Sequence, residues 1–558
     1  MYMEDLDKNK ILADLIYPDI TETIEDLEKK YPERDLKQGA CVTRFAPSPT
    51  GFLHTGALFT SLVNRQIAKQ SDGVFFLRIE DTDKKREVEG SAELLVEQMN
   101  TFGIIPDEGV ISDTEEKGNY GPYIQSKREK IYKICAKYLI EKGLAYPCFC
   151  TSEMLQATHD MQERNKIQTG YYSVYARCRN ISIDESIDKV KAGQSYIIRF
   201  RSNGSHLKKV TFIDAIRGKI ELPENEQDIV IIKSDGLPTY HFAHAVDDHF
   251  MRTTHVMRGE EWIPSTSIHI QLFNALGFKV PTYAHFPSVM IQDGTSKRKL
   301  SKRKDKEAAV SYFIDAGYPV DSIIEYLLTI INSDYEPWRV KNPSANKYDF
   351  KVRLEKMNSA GALFDIDKLN DVSKEVIAKY DSKKILDDVL IWSKKYDTKL
   401  YELISKDLSY SQKVFALERD GAKKIRKDLV KWEDIMPTYF YFFHDLFIED
   451  INKNGYSFEQ DTQLVKSALT NYLKVYNQDD DKDTWFSKVK QCAHDLNYCT
   501  NMKEYKQNPE GYVGSIADFT EIIRIAIANR KNTPDIYSIM QILGYENVVK
   551  RFENVLKV

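Results

Sequence analysis

Residues 42–83 read VTRFAPSPTGFLHTGALFTSLVNRQIAKQSDGVFFLRIEDTD, and this stretch decides the fold. Thr43-Arg44-Phe45 ends a short strand. Pro47, Pro49 and Gly51 then force a loop, because two prolines fix φ and glycine supplies angles that other residues avoid. Leu58, Leu62, Val63 and Ile67 recur at helical spacing. A second apolar strand, Val74 to Ile79, closes a strand–helix–strand unit. His54 and Gly56 fall where the loop becomes helix. Such a junction offers free backbone N–H groups, the positive end of a helix dipole and a glycine that lets an anion approach.

These residues carry a resemblance. APSPTGFLHTG is similar to the HIGH-type signature of the class I aminoacyl-tRNA synthetases. The flanks Thr43-Arg44-Phe45 and Arg78-Ile79-Glu80-Asp81-Thr82-Asp83 resemble its glutamyl branch, whereas glutaminyl members usually carry PEPNG in the first loop. Tyr120-Gly121-Pro122-Tyr123-Ile124-Gln125-Ser126 fits the same branch, near the entry of the tRNA acceptor end. Lys299-Leu300-Ser301-Lys302-Arg303 resembles the second signature, KMSKS, in the KLSKR form of this branch. A lone HxG is common by chance; two linked motifs with a strand–helix–strand between them are specific.

The resemblance covers nearly all of the chain after residue 38. It implies an α/β fold: a Rossmann-type class I synthetase catalytic domain with an α+β insert, followed by an all-helical C-terminal half. The expected segments are a helical extension (1–38), the first half of the catalytic domain (39–130), an acceptor-binding insert (131–230) and the second catalytic half (231–295). A KMSKS loop with a stem-contact domain (296–390) and a helical anticodon-binding domain (391–558) follow. The tail, residues 516–544, resembles the last helices of the bacterial-type anticodon-binding domain rather than a β-barrel.

Composition agrees with a multidomain soluble protein. At 558 residues there is room for roughly three to five domains. With 42% hydrophobic and 29% charged residues the chain reads as globular, and no uncharged apolar run is long enough to cross a membrane. The opening MYMEDLDKNK is charged where a signal peptide needs an apolar core. Seven cysteines in so long a chain fit a reduced, cytoplasmic protein rather than a disulfide scaffold. The net charge of −5 does not advertise a nucleic-acid binder, but a large RNA meets one face, so local basic patches matter more than the total.

Cys148-Phe149-Cys150 and Cys178 can grip one metal, two thiolates from a tight turn and a third from further along. Some glutamyl enzymes hold structural zinc with a CxC…Y…C pattern whose tyrosine stands four positions before the last cysteine. Here that position is Val174, so Tyr175 is the expected fourth ligand and Tyr172 the reserve; the other reading is a zinc-less relic of small buried cysteines. Cys492, His494 and Cys499 fit no metal spacing.

The chemistry implied by the resemblance has two steps. Glutamate attacks the α-phosphorus of ATP, and the glutamyl group then passes to the terminal adenosine of tRNA-Glu. In-line phosphoryl transfer needs positioning and stabilisation of spreading negative charge. His54 and Lys302 are placed to supply it from opposite sides of the triphosphate, with Lys299 assisting and Mg²⁺ accompanying ATP. Gly56, Glu261 and Trp262 match positions that line the ATP site. Arg44 matches the reader of the substrate side chain, since a guanidinium fork pairs with a carboxylate and leaves an amide poorly paired. Arg258 matches a second substrate arginine facing the α-carboxylate. Glu80 can hold the ammonium group, while Ser48 and Tyr240 add hydrogen bonds. One departure stands out: His244 replaces the usual asparagine four residues after Tyr240, and a histidine can gain charge near neutral pH. The rival readings are a glutaminyl enzyme, a non-discriminating enzyme that also charges tRNA-Gln, a truncated paralogue acting on a tRNA base, and an inactive RNA-binding relative. The resemblance implies a monomer.

Overall fold

The computed structural model describes residues 3–49, 51–84, 88, 90–112, 114–301, 304–358 and 361–557. Lys302 and Arg303 of the KLSKR run lie outside the described residues, as does Glu89. The chain forms two compact units, one of residues 1–312 and 327–365, the other of residues 313–326 and 366–558. The expected segment 296–390 is therefore shared between them.

In the first unit, helices α1 (Met3–Ile16) and α2 (Ile24–Lys30) precede the first strand. The segment that follows α2 is tied to the sheet. Arg34 makes a two-pronged pair with Glu108 at 2.8 and 2.9 Å, and the Tyr31 hydroxyl donates to the Gly121 carbonyl at 2.9 Å. Strand β1 (Val42–Phe45), helix α3 (Thr55–Gln70) and strand β2 (Val74–Leu77) form the expected unit, with β1 and β2 parallel. Leu58, Leu62 and Val63 of α3 are fully buried, which is the apolar face that the spacing marked. Helix α4 (Ser91–Thr101) follows, then β3 (Glu108–Val110) parallel to β2 and β4 (Glu116–Lys117) antiparallel at the edge. The RIEDTD and YGPYIQS segments lock together: Ser126 donates from N and Oγ to Asp81, at 2.8 and 2.5 Å.

Helix α5 (Glu129–Glu141) leads to the insert, where β5 (Ala145–Cys148), helices α6 (Ser152–Arg164) and α7 (Ile183–Lys191) and strand β6 (Ile197–Phe200) come in turn. The next hairpin, β7 (Lys209–Asp214) and β8 (Gly218–Pro223), departs from the expected insert of 131–230. Strand β9 (Val230–Ile232) completes an antiparallel β5–β6–β9 sheet. Strand β7, however, adds in parallel to β11 (Thr282–Phe286), which pairs in parallel with β10 (His255–Gly259). The hairpin thus belongs to the second catalytic sheet. Between β9 and β11 lie helices α8 (Tyr240–Phe250) and α9 (Thr266–Leu276). Thr254 N donates to the Val42 carbonyl at 3.0 Å, which brings β10 beside β1. A hairpin of β12 (Val289–Asp293) and β13 (Ser296–Lys299), joined by β14 (Ala362–Phe364), carries the basic run.

The second unit is helical apart from one two-residue strand pair at Tyr498–Cys499 and Gly514–Ser515 among the described residues. Its core contains Trp432, Trp485, Phe447, Phe519 and Phe552, all buried. Arg551 is buried there too and donates to the carbonyls of Ile527 and Tyr441. Among the described residues no helix is long and apolar enough to cross a membrane.

Candidate active site

The carboxyl ends of β1, β10 and β11 open onto one cavity of about 370 Å³. Ligands in parallel α/β sheets bind at this edge, where the connections leave room above the strands. Arg44, Ser48, His54, Gly56, Arg258, Glu261 and Lys299 all line it, so strand ends, loop and hairpin bring together seven of the expected residues. Glu80, Tyr240, His244 and Trp262 do not line it, and Lys302 is outside the described residues.

One side of the cavity is open and lightly tied. His54 caps α3, its Nδ1 accepting from Ala57 N at 3.0 Å, and the ring itself is exposed. A Cβ on Gly56 would come within 3.2 Å of that ring, so glycine leaves the imidazole its place over the helix start. Gly51, at φ +114°, turns the loop back in a conformation open to glycine. Lys299 is 61% exposed and stands 3.7 Å from Glu261. Behind it Arg298 grips Asp305 in a two-pronged pair at 2.6 and 2.7 Å, and Asp305 also accepts from Ser301 N. These bonds hold the Asp305 carboxyl down at about 2 and tie it to β13 and to Ser301.

The other side is buried and densely bonded. Arg44 Nε lies 3.2 Å from both oxygens of Asp248, while its two terminal nitrogens have no protein partner among the described residues. Arg78 donates to Asp248 at 2.8 Å and to Glu80 at 3.0 Å. Burial acts to raise the Asp248 carboxyl, but Arg44, Arg78 and His244 outweigh it and hold it well below the carboxylate range. Burial wins at Glu80, which is raised although Arg78 and Arg44 oppose it. A cation arriving there would restore its charge.

Arg258 is more committed than its role as a carboxylate fork implies. Of the five N–H groups of a guanidinium, Nε donates to His285 at 3.1 Å and Nη1 to His269 at 3.2 Å. Nη2 donates to Thr266 at 3.0 Å and to the Trp262 carbonyl at 3.3 Å. The Tyr240 hydroxyl also hydrogen-bonds to this guanidinium, so Arg258 can touch a carboxylate but not straddle it. Arg44 keeps its whole end-on fork.

His244 corrects the expectation of a charge near neutral pH. Its Nδ1 lies 2.8 Å from Asp248 and its Nε2 is 3.1 Å from the Tyr283 hydroxyl. Complete burial nevertheless pushes it down to about 3, so the ring stays neutral. Tyr240 stacks on Trp262 with ring centroids 4.3 Å apart and packs beside His244. Asp248, His269, His285 and Asp214 were not singled out in the sequence. Asp248 is four residues beyond His244 on α8, and that helical step was its available signal. Asp214 and His285 are 71 residues apart and gave none.

The cysteines converge as expected, but the tyrosine is a different one. The Sγ atoms of Cys148, Cys150 and Cys178 lie within 4.8 Å of one another. The Tyr171 hydroxyl stands 3.3 Å from both Cys148 and Cys150 and accepts from Cys178 N at 2.9 Å. Tyr175 instead packs edge-on against Tyr172, whose hydroxyl donates to the Gln168 carbonyl. The physical reason is the short turn at 173–175, with Ser173 at φ +46°, which follows Tyr171 and carries the next aromatic away. Three thiols and one hydroxyl around a common centre fit a tetrahedral zinc ion.

The family model described as "tRNA synthetases class I (E and Q), catalytic domain" matches residues 40–370, and "Anticodon binding domain" matches residues 511–556. A glutamate–tRNA ligase of Clostridium perfringens (strain SM101 / Type A) is 50% identical over 547 residues, 98% of this chain and 99% of the relative. One of Acetivibrio thermocellus is 44% identical, over 98% of this chain and all of the relative. The crystal structure of a glutamate tRNA ligase from Elizabethkingia meningosepticum, in complex with its amino acid, superposes with a TM-score of 0.73 at 25% identity, covering 93% of this chain and 99% of that one. A family match over more than half of the chain, near-full-length relatives up to 50% identical and a shared fold leave one assignment: the chain belongs to the glutamate–tRNA ligases of the class I aminoacyl-tRNA synthetase family.

Proposed function

We propose that this enzyme performs the ligase reaction with its two cavity walls in separate roles. Glutamate lies on the buried wall, its side-chain carboxylate straddled by Arg44 and its α-carboxylate touched by Arg258. Glu80 and Tyr240 act from behind the lining, Glu80 as the counter-charge for the ammonium group; Ser48 contributes from the loop. ATP lies on the open wall, over the helix start at His54 and Gly56, beside Glu261 and under the packed Trp262. His54, Lys299 and Lys302 stabilise the charge that spreads as pyrophosphate leaves, and the glutamyl group then passes to the 3′-terminal adenosine of tRNA. Mg²⁺ accompanying ATP would neutralise phosphate charge, and among the described residues Glu261 is the one carboxylate on the cavity wall that would face it. Zinc, held by Cys148, Cys150, Cys178 and Tyr171, pins the turn of the insert and takes no part in the chemistry. The protein works as a cytoplasmic monomer.

The observation that carries this reading is Arg44, a buried guanidinium with both terminal nitrogens open to the cavity that His54 borders. The test is aminoacylation of tRNA-Glu and tRNA-Gln transcripts with labelled glutamate, and with labelled glutamine as control. Glutamate on tRNA-Glu alone is the expected result. Glutamate on both tRNAs makes the enzyme non-discriminating; charging with glutamine, or none, overturns the reading.

A further inference from the structure

Arg258 differs from the other arginines of the catalytic sheet in what holds it. Arg44, Arg78 and Arg128 are each tied to Asp247 or Asp248. Among the described residues Arg258 has no carboxylate within ion-pair distance; it is fixed by uncharged partners, two imidazoles, the Thr266 hydroxyl, the Trp262 carbonyl and the Tyr240 phenol. Because a guanidinium only donates, both ring nitrogens that face it must be acceptors. That fixes the proton positions along a chain of groups. His285 accepts at Nε2, so its proton is on Nδ1, directed at Asp214 at 2.7 Å. His269 accepts at Nδ1, so its proton is on Nε2, directed at His241 Nδ1 at 3.0 Å. Asp214 is itself pinned by the backbone N–H groups of Ile216, Arg217 and His285.

We infer that His285, backed by Asp214, and His269, backed by His241, are positioning residues that hold Arg258 by neutral acceptors and so leave its charge to a carboxylate of the substrate. An ion pair in the same place would fix the guanidinium equally well but would cancel its field before the substrate arrived. Burial keeps all three rings below the ordinary histidine range, His241 at about 4, consistent with neutral acceptors throughout the working pH range. The arrangement also gives the β7–β8 hairpin a function, since Asp214 is the last residue of β7 and reaches the active site only because that strand joins β11.

The inference rests on the assignment of Arg258 as a glutamate contact, and the experiment separates the two. His285→Leu, His285→Gln and Arg258→Lys are made singly, and His285→Leu is combined with Arg258→Lys. KM for glutamate, KM for ATP and kcat are read in aminoacylation. His285→Leu should raise the glutamate KM about 10- to 100-fold, the range expected for a lost charged hydrogen bond, with the ATP KM moving less than about threefold. His285→Gln, which can accept from Arg258 and donate to Asp214, should recover most of this. The double variant should be no worse than Arg258→Lys, because His285 acts through that arginine. Additive losses, equal effects of Leu and Gln, or a parallel rise in ATP KM would overturn the positioning role. A glutamate KM unmoved by Arg258→Lys would instead overturn the contact itself. If His285→Leu does not fold, His269→Leu against His269→Gln makes the same comparison from the other side of the guanidinium.

Discussion

The two walls of the cavity are built on opposite principles. On the open wall, proposed for the nucleotide, His54 and Lys299 are exposed, and Lys299 stands 3.7 Å from the Glu261 carboxylate. On the buried wall, proposed for the amino acid, Arg44 and Arg258 are almost wholly buried, and Asp248 and His244 lie buried behind them. A triphosphate is long, flexible and charged throughout, so residues that stabilise its transition state gain by closing after it binds. Glutamate is small and differs from glutamine by one group. Telling them apart requires donors that are fixed in advance and that suffer when the partner is wrong. On the proposed function, the open wall serves rate and the buried wall serves choice.

The sharpest way to break this contrast is Arg44→Lys. The charge remains but the fork is lost, so the Asp248 contact and the straddled carboxylate cannot both be kept. Glutamate kcat/KM should fall by about a thousandfold, in the range for losing one partner of a buried charged pair. The ratio of glutamate to glutamine use should collapse with it. Competition between the two labelled amino acids measures both numbers, and a loss confined to kcat with selectivity intact would contradict the assignment of choice to this wall.

His54→Asn probes the opposite wall. Asparagine caps a helix as well as this histidine does, so α3 should keep its stability while the reach toward phosphate disappears. We expect kcat to fall about a hundredfold, with the glutamate KM within about threefold of the parent. An equal rise in glutamate KM would mean that the walls are not separable.

The sequence made the open wall far more legible than the buried one. A loop with two prolines and a glycine before an amphipathic run announces a phosphate-binding helix start, because the signal is local. Arg44 and His244 were legible as positions, yet what they do depends on Asp248, Tyr283 and complete burial, none of which has a periodicity. The hairpin at 209–223 looked like part of the insert because its neighbours in sequence are; its true partner, β11, comes some sixty residues later. Tyr171 was missed for a related reason: counting back from Cys178 assumes an extended chain, and the short turn at 173–175 breaks that count.

Acid should separate the walls at the level of stability. His241, His244, His269 and His285 are all held below their ordinary value by burial. In the unfolded chain they take up protons as pH falls through about 6.5, while the folded site declines them, His241 until about 4 and His244 until about 3. Stability is therefore full above pH 7 and is lost as pH drops toward 4. His241 and His244 each cost up to about 2 kcal/mol by pH 5, at roughly 1.4 kcal/mol per pH unit, and His269 and His285 act in the same direction. Thermal melts at pH 7.5, 6 and 5 should show an early transition moving down. A quadruple His→Gln variant, if folded, should flatten that slope, whereas His54→Asn should not.

His244→Asn gives the smallest expected effect and the finest test of the buried wall. A histidine that titrated near pH 6.5 would put a second positive charge beside Arg44 and would make the glutamate KM pH-dependent in that region. The fully buried ring is held instead between a carboxylate and a phenol, and Asp248 is already shared by two arginines. A third positive charge would gain little attraction from a carboxylate so occupied, and it would bear the full cost of burial. The pH profile of the glutamate KM between 6 and 8 should therefore be the same for parent and His244→Asn, with the KM itself moving less than about threefold. A limb near pH 6.5 present in the parent and absent in the variant would show that water reaches the ring. The amino-acid wall would then be as adaptable as the nucleotide wall, and selectivity would have to come from Arg44 alone.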